Sequence, residues 1–327
     1  MKRVCSVIRE FKKFFARKIT YIALFLAVAT LCVTSIIYTQ KSSGSNNIGV
    51  YLGEYNNRDE LLKNYETELK SFEESKENFR DYGLDLQPIY NWHAVYEYLL
   101  ENYLEQEDVV YYNVTLFESR DSLCILISIN FIVIIVMLVL SAFLSMLFFS
   151  SDFMEKKHRF LYAGKDRMKI LKCKFISYFL IVLGCWFVFS VLSGIFTYAF
   201  SDRIPYVIIV NNGDVSCMHI FIVGILESIS VLIYLLPFVV IFFCFGVIAR
   251  NDIVAGVLDI VFFGVVSGVK QISENVIISC IETMPFYTIA MGYSTVKEWL
   301  ISYGIELLIV AIICFISVNI FKKADLH

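Results

Sequence analysis

Six apolar runs, each about as long as a bilayer is thick, limit what this chain can fold into more than any other feature. A helix that crosses a membrane needs roughly 20 predominantly apolar residues. Runs of this kind occupy 19–40, 122–150, 175–200, 219–248, 253–269 and 300–320. Over 327 residues, 58% are hydrophobic and the mean hydropathy is +0.67. A soluble fold of this size has too little polar surface to cover that much apolar material. The expected fold is an all-α integral membrane protein. It has six transmembrane helices and a small, mainly helical extracellular domain between the first and second. The second and fourth runs exceed one span and imply tilt or extension past the membrane. The fifth is short and carries Gly256, Gly264 and Gly268, which permit close helix packing.

Basic residues orient the spans. Lys and Arg collect on the cytoplasmic side of membrane proteins. Residues 1–18 carry seven basic residues against Glu10, and residues 151–174 carry eight against three acids. The tail 321–327 adds Lys322 and Lys323. The linkers 201–218 and 270–299 are poor in Lys and Arg. With six spans, all three basic segments fall on one side, so both termini are expected in the cytoplasm. The first segment places Val7, Ile8, Phe11, Phe14 and Phe15 among its cations, the pattern of an amphipathic helix lying at a membrane surface.

Residues 41–121 then lie outside, as an acidic domain with 17 Asp or Glu and seven Lys or Arg. Leu62, Tyr65, Leu69, Phe72 and Phe79 recur at helical spacing. Asn57 or Asp59 can cap the start, and Gly83 and Pro88 should end the helix. A second helix is expected from about His93 to Leu104. "VVYYNVTLF" reads as a short strand, being rich in β-branched and aromatic residues. The domain is either a gate or docking surface, or a solvated cap over the outer mouth. Linkers 201–218 and 270–299 are read as external loops.

Catalytic signatures are weak. The four histidines are scattered, and neither a nucleophile elbow nor a zinc-protease motif occurs. Gly164-Lys165 resembles the end of a phosphate-binding loop, but position 159 is Arg and position 166 is Asp. No nucleotide site is expected in this chain, which is read as a non-enzyme. Cys32, Cys185, Cys244 and Cys314 lie inside apolar runs and read as small apolar residues rather than a disulfide framework. No metal-ligand spacing is present, and nothing points to nucleic acid. Three acids, Glu227, Asp259 and Glu306, sit inside apolar runs, where a charge costs roughly 2.5–3.5 kcal/mol. Either they line a polar pathway or subunit contact, or they lie near the membrane edges. Glu227 and Glu306 should be about two turns below the external surface and Asp259 nearer the cytoplasm. Pro237, inside the fourth run, should kink its helix and release a backbone carbonyl.

The segment "FMEKKHRFLYAGKDRMKILKCKFISYFL" carries the most specific pattern. An acid follows the second span, then apolar residues, a turn, a cation, and a Lys entering the third span. Glu155, Phe160, Leu161, Gly164, Arg167, Ile170 and Lys174 take these places. The segment resembles the first intracellular loop of ABC-2-type transporter permeases, the membrane subunits of bacterial exporters. The basic N-terminus, the external segment, "MPFY" at 284–287 and the tail "FKKADLH" fit that layout, which covers nearly the whole chain. The Gly-Thr pair that many members carry is absent, with Arg159-Phe160 nearby instead.

The resemblance implies that the loop is a coupling helix. It would dock in a separate ATP-binding subunit, which holds ATP and Mg, while this chain holds no cofactor. It also implies a second permease chain, identical or not, and a place in the bacterial plasma membrane. Two other classes stay open on the residues alone. One is a sensor or accessory protein with a ligand-binding outer domain. The other is an ion-coupled secondary transporter using Glu227, Asp259 and Glu306.

Overall fold

The computed structural model describes residues 2–41, 55–81, 87–105, 109–111, 122–154, 167–200, 205–211, 214–249, 252–272, 284–286 and 295–323. In chain order these form α1 (Lys2–Phe15), α2 (Lys18–Lys41), α3 (Arg58–Asp81), α4 (Gln87–Glu101), β1 (Val109–Tyr111) and α5 (Ser122–Met154). There follow α6 (Arg167–Phe200), β2 (Tyr206–Asn211), β3 (Asp214–His219), α7 (Ile220–Ala249), α8 (Asp252–Ile272) and α9 (Val296–Lys323).

Among the described residues, five helices are long and apolar enough to cross a membrane: α2, α5, α6, α7 and α9. The chain is therefore a helical, multi-pass membrane protein. The fifth apolar run forms α8, whose apolar part, Ile253–Val266, is shorter than a span. Lys270 and Gln271 make its last turn polar.

The bundle is built around α5 and α7, more than half buried over their apolar lengths, whereas α9 is largely exposed. Gly224 of α7 faces Leu126 of α5, so these two helices run parallel. Ser193 of α6 bonds Asn130 and Tyr178 of α6 bonds Ser141, so α6 runs antiparallel to α5. Cys244 and Ser317 meet about one and a half turns from the ends of α7 and α9, which makes those two parallel. Gly256 of α8 lies against Met146 near the end of α5. The core between these helices is dry and aromatic, with Phe238, Phe242, Phe243, Tyr178 and Phe189 buried together. On the outward faces, Phe25, Ile135, Val139, Phe221, Ile260 and Phe315 are exposed, as side chains solvated by lipid tails should be.

At one end of the bundle sits a separate unit of α3, α4 and a three-stranded sheet ordered β1-β2-β3. Asn57 caps α3, its Oδ1 accepting from the Glu60 amide at 2.9 Å, while Glu60 Oε2 accepts from the Asn56 amide at 2.8 Å. The buried stripe of α3 starts on Leu61, not Leu62. Leu61 is fully buried and Leu62 is exposed, and Tyr65 and Phe72 continue the face. Phe79 lies among side chains outside the described set. Pro88 stands in the first turn of α4, where its missing amide costs nothing, so it starts the second helix rather than ending the first. That second helix begins at Gln87, earlier than expected, and ends at Glu101.

The linker 201–218 is not a loop. It forms β2 and most of β3, an antiparallel hairpin, and β2 also pairs in parallel with β1. Val207, Ile208, Ile209 and Val210 are all buried, so β2 is a central strand covered on both faces. Two distant chain segments thus make one apolar cluster: Tyr55, Leu61, Val95, Tyr96 and Leu99 with Ile208 and Val210. β1 is the described part of the expected strand; residues 112–121 lie outside the described set. The Ile220 amide donates to the Pro205 carbonyl at 2.9 Å and ties the base of the hairpin to the start of α7.

Candidate functional site

Buried polar side chains in the bundle are not scattered. They lie in two layers with an apolar layer between. The first is near the sheet end. Asn130 (α5), Ser193 (α6), Glu227 (α7) and Ser302 (α9) each lie about 9–12 Å from their helix's sheet end, at about 1.5 Å rise per residue. All four are buried, Glu227 and Ser302 completely. Ser193 Oγ donates to Asn130 Oδ1 at 2.9 Å, and Thr197 Oγ1 donates back to the Ser193 carbonyl. Asn130 Nδ2 has no hydrogen-bond partner among the described residues. Asn130 and Glu227 share a level. Leu126 faces Gly224 across the parallel α5–α7 pair, and each polar residue lies about one turn further along. Trp186 Nε1 donates to the Ser228 carbonyl at 3.1 Å, and Ser230 Oγ accepts from the Phe286 amide at 2.8 Å.

The second layer is near the other end. It holds Ser141 and Ser145 of α5, Lys174, Ser177 and Tyr178 of α6, Asp259 of α8 and Ser317 of α9, all buried. Tyr178 donates to the Ser141 carbonyl at 3.0 Å. Asp259 is 3% exposed, and neither carboxylate oxygen has a hydrogen-bond partner among the described residues. Between the layers lie Val133, Ile134, Met137, Ile181, Val182, Val231, Leu235 and Phe238, without a polar side chain among them.

Below the second layer, α1 is fastened beneath the bundle. Phe14 is buried and stacks on Phe148, with ring centres 5.1 Å apart. Arg17 Nη1 donates to the Leu147 carbonyl at 2.6 Å, and Lys174 Nζ donates to the Phe148 carbonyl. Two cations thus bond adjacent carbonyls of α5 about two turns before its end at Met154. Glu10 pairs with Lys13 at 3.3 Å beside them, and together these residues line a small cleft. Ile8 and Phe15 remain exposed.

The sequence-derived coupling residues separate into two groups. Glu155, Phe160, Leu161 and Gly164 lie outside the described residues. Arg167 opens α6, so residues 167–174 are the first two turns of that helix rather than part of a loop. Ile170 packs against the core cluster, and Lys174 is 2% exposed and turned to α5. Lys174 therefore braces α6 against α5. Of the three acids, Glu227 and Asp259 face inward in different layers, and Glu306 is half-buried on α9. Glu306 is about three turns from the sheet end of α9. Pro237 lies inside α7, and the Ile233 carbonyl four residues earlier accepts from the Tyr303 hydroxyl at 3.3 Å. Sequence reasoning missed Asn130, Ser193, Arg17 and Tyr303, whose roles arise only when distant helices meet. Among the described residues no cluster of His, Cys, Asp and Glu is suited to a metal ion.

Compared with protein-family models, with curated proteins and with solved structures, the chain gives no match.

Proposed function

We propose that this chain is the membrane subunit of an ABC-2-type exporter in a bacterial plasma membrane. It supplies six spans, α8 being the sixth, and works with a second permease chain and separate ATP-binding subunits. The observation that carries the reading is the segment 153–175, whose order of acid, apolar pair, turn, cation and Lys resembles the coupling loop of that family. Its place in the fold supports the reading. The segment joins the ends of α5 and α6 farthest from the sheet unit, and α1 is fastened near those ends through Arg17. A push on this segment would be delivered to the two helices that carry both polar layers. The two layers, with the dry level between them, are what a pathway closed at its middle would leave in one subunit. In this orientation the sheet unit is extracellular and both termini are cytoplasmic.

Arg167→Glu, at the rim of the segment, is expected to weaken recovery of an ATP-binding subunit in pull-down while expression and membrane insertion stay normal. Undiminished recovery removes Arg167 from the docking surface. Purified chain that transports with no nucleotide-hydrolysing partner defeats the exporter reading itself. One observation favours a second reading. Two carboxylates buried in separate layers, Glu227 and Asp259, suit an ion-coupled carrier. Transport driven by an ion gradient without ATP would select it.

A further inference from the structure

We infer that Cys244 and Cys314 are a redox-sensitive thiol pair that closes into a disulfide and clamps α9 to α7. The two sulfurs are 3.5 Å apart, and a Ser317 hydroxyl donates to the Cys244 carbonyl at 3.4 Å in the same contact. A disulfide needs about 2.05 Å between sulfurs, so they must close by roughly 1.5 Å. The two residues are not equivalent. Cys244 is buried at 4% exposure, whereas Cys314 is half-buried on a helix whose outer face is open. α9 packs chiefly on α7, so a bond at this point fixes that helix near its basic end.

The oxidant is hydrogen peroxide, which is small and uncharged enough to reach a partly exposed thiol within the membrane. Cys314 sulfur attacks one peroxide oxygen. The S–O bond forms, the O–O bond breaks, and the leaving oxygen takes the thiol proton and departs as water. This gives a sulfenic acid. Cys244 sulfur then attacks Cys314 sulfur. The S–S bond forms, the S–O bond breaks, and the hydroxyl leaves with the Cys244 proton as a second water. Two thiols are oxidised and one peroxide is reduced to two waters. The pair does not depend on the exporter reading, since it needs only the packing of α7 on α9.

The test uses the full chain in native membranes, with a protease site inserted between Phe286 and Thr295. After cleavage the C-terminal fragment has Cys314 as its single cysteine. Membranes are treated with hydrogen peroxide, then cleaved, and the fragments are run on gels with and without reductant. The expected result is one joined species without reductant and two fragments with it. Cys244→Ser and Cys314→Ser should each give separated fragments under both conditions. Fragments that separate without reductant in the parent chain overturn the inference. So does linkage that persists in Cys244→Ser, or a C-terminal fragment joined to a second copy of itself.

Discussion

Replacing Tyr303 by Phe should destabilise the bundle only while Pro237 is present. Proline has no amide hydrogen, so the Ile233 carbonyl one turn earlier lacks its usual donor within α7. A bare carbonyl has no water to turn to at this depth. The Tyr303 hydroxyl of α9 supplies the donor at 3.3 Å. That distance is long for an O–H···O bond, which usually spans about 2.5–3.0 Å. Interhelical hydrogen bonds in membranes average about 0.6 kcal/mol, with a maximum of about 1.7. The long geometry argues for the lower half of that range, and the otherwise unsatisfied carbonyl for more than its bottom. Tyr303→Phe keeps the ring stacked on Trp299, centroids 4.9 Å apart, and removes only the hydroxyl. It should cost about 1 kcal/mol in the parent chain. In Pro237→Ala the restored amide satisfies Ile233, and the same change should cost near zero. Reversible unfolding in mixed micelles measures all four corners of this double-mutant cycle. A coupling of about 1 kcal/mol is expected. Equal costs in both backgrounds, within the roughly 0.3–0.5 kcal/mol scatter of additive pairs, would show that Tyr303 does not answer the proline.

Other consequences are simpler to state. Burial holds the His93 imidazole below its ordinary value, although Glu97 and Glu68 pull the other way. The unfolded chain therefore binds the proton first, and the α3–α4 unit should lose stability as pH falls from about 6.5 through the lower folded value. Hydrogen exchange of α3 and α4 between pH 7.5 and 5 reads this, and His93→Phe, still edge-on to Tyr65 and Phe72, should flatten the profile. Arg17→Ala removes the bond to the Leu147 carbonyl and should cost about 1–2 kcal/mol, below the ceiling for charged bonds because Arg17 is part-exposed. It should open α1 to proteases, and unchanged protection would refute the fastening. Glu73→Cys should react with an impermeant maleimide on intact cells, whereas Lys12→Cys should require permeabilisation; the reverse would invert the topology.

The helices were legible because lipid solvation writes itself into unbroken apolar runs, and α2, α5, α6, α7 and α9 follow those runs closely. The register of α3 was less legible. Leu61 and Leu62 are adjacent and chemically alike, so spacing alone could not choose the buried one. A short linker between two spans reads by default as a loop, which hides the β2–β3 hairpin. Its signal was present all the same: Asn212-Gly213, between two β-branched and apolar stretches, is the sequence of a tight hairpin turn. Its pairing with β1 joins positions nearly one hundred residues apart, and no local pattern carries that. The polar layers were half legible. Glu227 and Asp259 stood out because charge is costly in an apolar run. Asn130 and Ser193 did not, since single amides and hydroxyls are common in spans and become a layer only through helix packing.

Pro237 lies in α7 beyond Glu227 and before Cys244, inside a described spanning helix. A helix with one missing bond bends most easily there. α9 is fixed to α7 on both sides of that point. Tyr303 reaches Ile233 before the proline, while Ser317 reaches the Cys244 carbonyl after it. Bending α7 at Pro237 changes the distance between these two attachments, so α9 must slide, bend or release one of them. Both bonds are long hydrogen bonds at 3.3 and 3.4 Å, which yield readily. α9 therefore spans the Pro237 bend of α7 as a strap held on both sides. Breaking the upper grip with Tyr303→Phe loosens the strap and a covalent bond at the lower grip tightens it. The two changes should shift hydrogen exchange around Pro237 in opposite directions, and shifts of the same sign would show that α9 does not restrain the bend.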